Sequence, residues 1–204
     1  MTLRLYDFLD SGNGYKVRLA LTQLGHRFAL IPVDILTGGT RTPDFLALNP
    51  NGRIPVLVLD DGVVLSESDA ILFYLAEGTP LLPEGRLDRA RVLQWMFFEQ
   101  YSHEPSIAVA RFWTKHGEMN ALQRELLPQK REQGYAALGV MEGHLAGREF
   151  FVADCYTIAD IALYAYTHVA EEGGFDLGGF PAVGAWLKRV AAQPGHIPIT
   201  KSDF

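Results

Sequence analysis

All the strand-like segments of this 204-residue chain come before one loop-forming run, and this order constrains the fold more than any other feature. The run at residues 78–85 holds two prolines and two glycines, which interrupt regular secondary structure. The apolar spacing beyond the run is helical throughout. We therefore predict two domains, covering residues 1–78 and 86–204, joined by a linker at residues 79–85.

The first domain alternates strand and helix signals before ending in a hairpin. An Asp-Gly pair at Asp61-Gly62 separates two short apolar segments and indicates a tight turn between antiparallel strands. Ser66 and Asp69 have the spacing of a capping box for the helix that follows. The predicted order is β-α-β-α-β-β-α, with strands at residues 3–8, 28–33, 56–59 and 63–65.

The second domain is predicted to be entirely helical. Thr157 and Asp160 repeat the capping-box spacing, and Pro181 suits the first position of a final helix. Pro105 is expected to bend the first of the helices. The helices are predicted at residues 87–113, 121–145, 157–170 and 181–192.

Charge and cysteine content exclude several functional classes. The formal net charge of −6 and the absence of a Lys/Arg cluster argue against a nucleic-acid partner. No segment has the length and apolarity of a membrane span, so a cytoplasmic protein is expected. Cys155 is the single cysteine, and His103-Glu104 has no second histidine at metal spacing, so no metal is predicted. Any thiol chemistry must use a thiol that the ligand brings.

Three motifs, in this order along the chain, resemble the cytosolic glutathione S-transferases. They are the segment 49–57 around Ile54-Pro55, the Ser66-Glu67-Ser68 start of a helix, and the segment 157–160. The resemblance spans nearly the whole chain. It implies an α+β thioredoxin-like domain with a mixed four-stranded sheet, followed by an all-α domain. It also implies glutathione as co-substrate, a homodimer and a role in detoxification.

The resemblance also assigns glutathione-binding residues. Ile54, before a cis proline, binds the cysteinyl backbone as an added strand would, whereas the pair alone would indicate only the start of a strand. Glu67 and Ser68 at a helix N-terminus suit the γ-glutamyl end of glutathione, and simple helix capping is the alternative. Arg53 is the first candidate for the glycyl carboxylate, and Arg41 is the second.

Ser11 is the main candidate for thiol activation, with Asn13 as a second donor. A thiol has a pKa of roughly 8.5, and lowering it by two units requires about 2.7 kcal/mol. One hydrogen bond to a charged acceptor supplies about 1.5–3 kcal/mol, and a helix N-terminus about 0.3–2 kcal/mol more. Serine-type members of the family place their hydroxyl at this strand-to-helix turn. Helix capping by Ser11 is the alternative, and Tyr6 is a competing donor.

Two alternative functions stay open from the sequence. The segment Asn13-Gly14-Tyr15-Lys16 resembles the bacterial Nu-class and yeast Ure-type members, which implies a glutathione-dependent disulfide reductase. A binding or regulatory protein that kept the fold is the non-catalytic alternative. For a second substrate, Tyr101 and Phe112 are the predicted pocket residues, and the acceptor is predicted to be a hydrophobic electrophile or a disulfide.

Overall fold

The computed structural model describes residues 2–204 and divides the chain into two compact units. The first unit holds the residues up to Glu77 together with Pro194–Phe204, and the second holds Gly78–Gln193. The last segment of the chain therefore groups with the N-terminal unit, although it follows the helices of the second unit in sequence.

The first unit contains a mixed four-stranded sheet in the order β2-β1-β3-β4. Strand β1 pairs in parallel with β2 and antiparallel with β3, and β3 pairs antiparallel with β4. The fold class and the element order predicted from the sequence are confirmed. The elements are β1 (Leu3–Asp7), α1 (Gly12–Gln23), β2 (Phe28–Pro32), α2 (Pro43–Leu48), β3 (Val56–Val58), β4 (Val64–Ser66) and α3 (Ser68–Ala76).

Strand β3 is the centre of an apolar core. Val56 and Val58 pack with Val33 and with Phe45 of α2, and Leu57 between them points to the opposite face by strand alternation. Helix α1 packs against α3. Most of α1 is buried, including its charged side chains Lys16 and Arg18, so both charges need partners inside the unit.

The predicted capping box at the start of α3 is wrong. Ser66 ends strand β4, and the N-cap residue of α3 is Glu67, whose side chain makes no capping bond. Asp69 instead binds the ammonium group of Lys16. The spacing matched a capping box, but the strand continues one residue further than the pattern indicated.

The second unit is helical, as predicted. The predicted first helix is interrupted by a π-helical turn at Glu99–His103, and Pro105 lies in the first turn of the helix that follows. Helix α7 is buried along its whole length, and the predicted capping box of Thr157 and Asp160 is confirmed. The helices are α4 (Arg86–Phe98), α5 (Glu104–Lys115), α6 (Ala121–Leu145), α7 (Ile158–Thr167) and α8 (Pro181–Ala191).

Residues 2–204 show neither a membrane-spanning helix nor a cluster of metal-ligating side chains. No helix in this range combines the length and apolarity needed to cross a bilayer. Within the same range, no group of three or more His, Cys, Asp or Glu side chains is placed to hold a metal ion.

Candidate functional site

Ser11 caps the first helix of the N-terminal unit. Its backbone is extended, with φ −74° and ψ 125°, and its Oγ accepts a hydrogen bond of 3.2 Å from the Gly14 N–H. The Ser11 N–H donates to the Phe8 carbonyl at 2.8 Å, which holds the preceding loop. Capping uses an oxygen lone pair of Ser11 and does not use its hydroxyl hydrogen. Ser11 is therefore a helix cap whose chemistry still permits donation to an acceptor outside the helix.

Glycine at position 14 lets the end of β1 approach this helix start. A Cβ atom built on Gly14 would overlap the carboxylate of Asp7, the last residue of β1. The Asp7 carboxylate also accepts a bond of 2.7 Å from the Phe8 N–H. Strand, loop and first helical turn are thus packed together around residue 14, which fixes the position of Ser11.

Asn13 is joined to the start of α3 by a chain of hydrogen bonds. The Ser68 hydroxyl donates to Asn13 Oδ1 at 3.3 Å, and the Lys16 ammonium donates to Ser68 Oγ at 3.4 Å. Lys16 Nζ also lies 3.2 Å from Asp69 Oδ1, and the Lys16 side chain is fully buried. Because lysine can only donate, its bond favours the orientation in which Ser68 donates to Asn13. A predicted thiol-activating residue and a predicted glutathione-binding residue therefore touch.

Glu67 has an unusual backbone at this junction. Its φ of 66° lies in the left-handed region, which costs a non-glycine residue about 1–3 kcal/mol. Its side chain is exposed, whereas Ser68 beside it is buried. Such strain is held by surrounding structure and is found most often at functional sites.

The Ile54–Pro55 peptide bond is cis, as the family resemblance implies. Strand β3 pairs with its neighbours from Val56 onward, so the peptide groups of Ile54 lie outside the sheet pairing. Asn49 supports the turn before them, since its Nδ2 donates to the Arg53 carbonyl at 2.8 Å. This edge fits the proposed binding of a short peptide backbone.

Both arginines predicted to bind the glycyl carboxylate are associated with the turn at residues 49–52. Arg53 directly follows this turn and is exposed. Arg41 Nη1 lies 3.4 Å from the Asn51 carbonyl, which places the second guanidinium against the turn as well. The two arginines predicted for the same ligand group are therefore associated with one turn of the first unit.

Tyr6 belongs to the apolar core beside β3. It packs against the cluster that contains Phe45, with the two ring centroids 6.4 Å apart in an edge-to-face arrangement. Its neighbours in the sheet are Ile31 and Val56. This packing gives the Tyr6 ring a structural role.

The two residues predicted for a second-substrate pocket do not line the same groove of the second unit. Tyr101 is 88% exposed and lines a groove of about 440 Å³ with Phe98, Pro105 and Val140. Phe112 is 39% exposed, does not line that groove and packs on His116 with a centroid distance of 4.9 Å.

The roles of Lys16 and Asp69 in the bond network were missed from the sequence. Asp69 was interpreted as a cap, and Lys16 was noted only as part of a motif. One signal was present: Lys16 and Arg18 lie two residues apart in the otherwise apolar or aromatic segment 15–21, and no single exposed helix face accommodates both. Buried charges of this kind require carboxylate partners, which Asp69 and Asp7 supply.

Comparisons with known proteins agree with this architecture. Residues 1–77 match the family described as the glutathione S-transferase N-terminal domain, and residues 103–194 match the C-terminal domain. A crystal structure of a glutathione S-transferase from Pseudomonas fluorescens is 50% identical, with a TM-score of 0.96, and the match covers 98% of this chain and 100% of that one.

Two curated relatives carry other activities in their names. Maleylacetoacetate isomerase of Rhizobium meliloti is 36% identical over 193 residues, covering 92% of this chain and 90% of the relative. A disulfide-bond oxidoreductase of Escherichia coli is 32% identical over 197 residues, covering 92% and 89%. The chain belongs to the glutathione S-transferase family.

Proposed function

We propose that this protein is a glutathione transferase that activates the thiol of bound glutathione with Ser11, assisted by Asn13. The observation that carries the proposal is the hydrogen-bonded junction of two helix starts, in which Asn13 of α1 accepts from Ser68 of α3 at 3.3 Å, two residues from the Ser11 cap. Two helix N-termini that converge in this way favour an anionic ligand. Glutathione carries two carboxylates and, when activated, a thiolate.

The residues around this junction match the parts of glutathione. The N-terminus of α3 at Ser68 suits the γ-glutamyl carboxylate, and the exposed Glu67 suits the γ-glutamyl ammonium group. The segment at Ile54, which lies outside the sheet pairing, suits the cysteinyl backbone. Arg53, with Arg41 as the alternative, suits the glycyl carboxylate.

The chemistry requires a stabilised thiolate. The Ser11 hydroxyl donates its hydrogen to the sulfur, and the thiol proton leaves to solvent. The thiolate attacks an electrophilic carbon of the second substrate and forms a thioether bond, while a leaving group departs or the attacked multiple bond takes up a proton. The first turn of α1, residues 12–15, contains no acidic residue, and the Asp7 carboxylate that packs against Gly14 is paired with Arg18.

The direct test is Ser11→Ala, with the thiol pKa of bound glutathione read from the ultraviolet absorbance of the thiolate. Loss of one hydrogen bond to a charged acceptor is worth about 1.5–3 kcal/mol, so the pKa should rise by about 1–2 units. The Asn13→Ala variant is the matched comparison. If Ser11→Ala leaves the pKa unchanged and Asn13→Ala raises it, Asn13 is the principal donor and the assignment to Ser11 is wrong.

A second candidate function is glutathione-dependent disulfide reduction. It is favoured by the Escherichia coli oxidoreductase relative and by the bonded position of Asn13 in the segment that resembles Nu-class members. Three rates separate the candidate activities. A mixed disulfide tests the reductase, a halogenated aromatic acceptor tests the transferase, and maleylacetoacetate tests the isomerase. A protein with no saturable glutathione binding by calorimetry would instead support the non-catalytic alternative.

The remaining predictions concern assembly and surroundings. We propose a homodimer, supported by the large aromatic side chain of Phe97, which is 68% exposed on helix α4 of the second unit. Sedimentation analysis of the wild type and of a Phe97→Glu variant tests it, and a monomeric wild type would contradict it. Tyr101 and Phe112 as contacts to a hydrophobic electrophile, a cytoplasmic location and a detoxification role stay predictions.

A further inference from the structure

The C-terminal tail, residues 194–204, lies against the helix that carries the proposed thiol-activating residues. The Tyr15 hydroxyl donates to the Ile197 carbonyl at 2.8 Å, and Gln23 Nε2 donates to the Pro194 carbonyl at 3.3 Å. The rings of Phe28 and Phe204 lie 4.7 Å apart between centroids. The tail is therefore bonded along the length of α1 and reaches strand β2.

The Tyr15 hydroxyl makes hydrogen bonds to two groups of the tail. Its single hydroxyl hydrogen goes to the Ile197 carbonyl, so the 3.2 Å contact with His196 Nε2 is a bond that the imidazole donates. Burial lowers the pKa of His196, which keeps the ring neutral at pH 7. Tyr15 itself is fully buried.

Arg18 links the tail to the loop that precedes Ser11. Its fully buried guanidinium donates from Nη1 to the carbonyls of Ile199 and Lys201, at 2.8 and 3.2 Å. Its Nη2 donates to the Leu9 carbonyl at 2.6 Å, and its Nε donates to Asp7 Oδ2 at 2.9 Å. One side chain thus joins the end of β1, the loop two residues before Ser11, and the tail.

The electrostatics of this cluster depend on the tail. Burial raises the pKa of Asp7 to about 7, although Arg18 opposes the change, and burial lowers the pKa of Arg18. The two tail carbonyls accept bonds that a buried guanidinium would otherwise lose. Displacement of the tail would remove two of the four acceptors of the Arg18 guanidinium and expose the group to solvent, which would weaken its hold on Asp7 and Leu9.

We propose that Arg18 is a positioning residue for Ser11 and that the tail from His196 to Lys201 completes its site. This inference rests on the proposed function. Arg18 does not touch the ligand; it holds the Asp7–Ser11 loop so that the Ser11 hydroxyl keeps its place at the start of α1.

The test compares Arg18→Lys with a full-length tail variant, Ile197→Asp combined with Ile199→Asp. Lysine keeps the charge but lacks the forked guanidinium group that reaches all four acceptors. The Ile197 and Ile199 side chains are buried, so the two aspartates displace the tail. Gln23→Ala is the matched control, because it removes a tail contact at the end of α1 remote from Ser11.

The readouts are the thiol pKa of bound glutathione and the separate values of KM for glutathione and kcat. All are measured where circular dichroism shows the variant folded. Arg18→Lys and the tail variant should each raise the thiol pKa by about one unit, a tenfold loss of thiolate below that pKa, and Gln23→Ala should not. Because both changes act through one cluster, the rise in thiol pKa in the combined variant should be smaller than the sum of the two separate rises.

A folded Arg18→Lys variant with wild-type thiol pKa and KM overturns the inference. Additive effects of Arg18→Lys and the tail variant overturn the part assigned to the tail. If neither variant folds, Tyr15→Phe decides: it removes only the hydroxyl, and an unchanged thiol pKa overturns the proposal. Failure of the proposed function looks different, since Ser11→Ala would then leave the wild-type thiol pKa unchanged.

Discussion

Helices α1 and α7 both begin at a hydroxyl side chain, but the groups around the two hydroxyls differ. At α7, Asp160 Oδ2 accepts from the Thr157 N–H at 2.9 Å and from the Thr157 hydroxyl at 3.1 Å. Asp160 Oδ1 accepts from Trp186 Nε1 at 2.9 Å and from the Phe151 N–H at 3.2 Å. At α1, Ser11 has one capping bond and no carboxylate in the first turn.

The comparison shows two uses of the same helix property. A helix N-terminus carries about half a positive charge, which favours a nearby anion. Helix α7 supplies that anion from its own sequence and encloses it, because Asp160 is fully buried. The first turn of helix α1 contains no acidic residue, and the Asp7 carboxylate that packs against Gly14 is paired with Arg18. The proposed function adds the thiolate of the ligand as the anion at this helix start. A helix start that encloses its own carboxylate serves stability, whereas one whose first turn contributes no carboxylate is suited to binding an anion.

The largest expected effect comes from removing the internal anion. Asparagine keeps only one of the two acceptor oxygens, so in either orientation of its amide in Asp160→Asn two of the four buried donors from Thr157, Trp186 and Phe151 lose their acceptor. The free energy of unfolding of the second unit should fall by about 3–4 kcal/mol at pH 7, measured by urea denaturation. The thiol pKa of bound glutathione should stay at its wild-type value.

A matched control exists in the same unit. Asp88 lies in the first turn of α4 and forms a largely exposed ion pair of 2.9 Å with Arg91. Asp88→Asn should cost under about 1 kcal/mol. Equal losses from the two substitutions would show that the enclosed carboxylate has no special value, and the contrast between the helix starts would be lost.

The next effect is the pH dependence that Asp160 imposes. Burial raises the pKa of Asp160 from 3.8 to about 6, although four donors oppose the change. Between these values the unfolded chain has released this proton and the folded chain has kept it, so stability falls as pH rises. The contribution should be lost by about pH 6, with a total of about 2–3 kcal/mol.

The measurement is urea unfolding of the wild type and of Asp160→Asn from pH 4 to pH 7. The wild type should lose stability relative to the variant as pH rises to 6, and the difference should then level off. A difference that grows in favour of the wild type over the same interval would show that the carboxyl ionises below its ordinary value.

Capping-box spacing occurs at both Thr157/Asp160 and Ser66/Asp69, and the two outcomes show what the sequence could and could not predict. Thr157 and Asp160 were recognisable because a capping box involves only residues three apart at a helix start. Ser66 and Asp69 have the same spacing, yet the chain leaves β4 through Glu67 at φ 66°, which moves the helix start by one residue. Local spacing therefore predicts a capping box only where the preceding strand has already ended.

Long-range partners were beyond the sequence. The site residues around Ser11, Ile54 and Ser68 could be named because each lies in a short motif of its family. The bond from Arg18 to the Ile199 carbonyl joins residues 181 positions apart, and its acceptor is a backbone group that carries no sequence signal. The burial of Lys16 likewise depends on how α3 packs against α1, which no local pattern states.

The smallest expected effect separates capping from function at Ser11 itself. Thr157→Ala removes a hydroxyl that donates to Asp160 and accepts from the Ala159 N–H at 3.3 Å, and should cost about 1–2 kcal/mol of unfolding free energy. Ser11→Ala removes one partly buried bond of 3.2 Å and should cost about 0.5–1 kcal/mol. Thr42→Ala at the exposed N-cap of α2, with its 3.3 Å bond from the Phe45 N–H, should match Ser11→Ala. Urea unfolding of the three variants decides the point: if Ser11→Ala costs as much as Thr157→Ala, the hydroxyl of Ser11 serves the helix, and the two helix starts are alike.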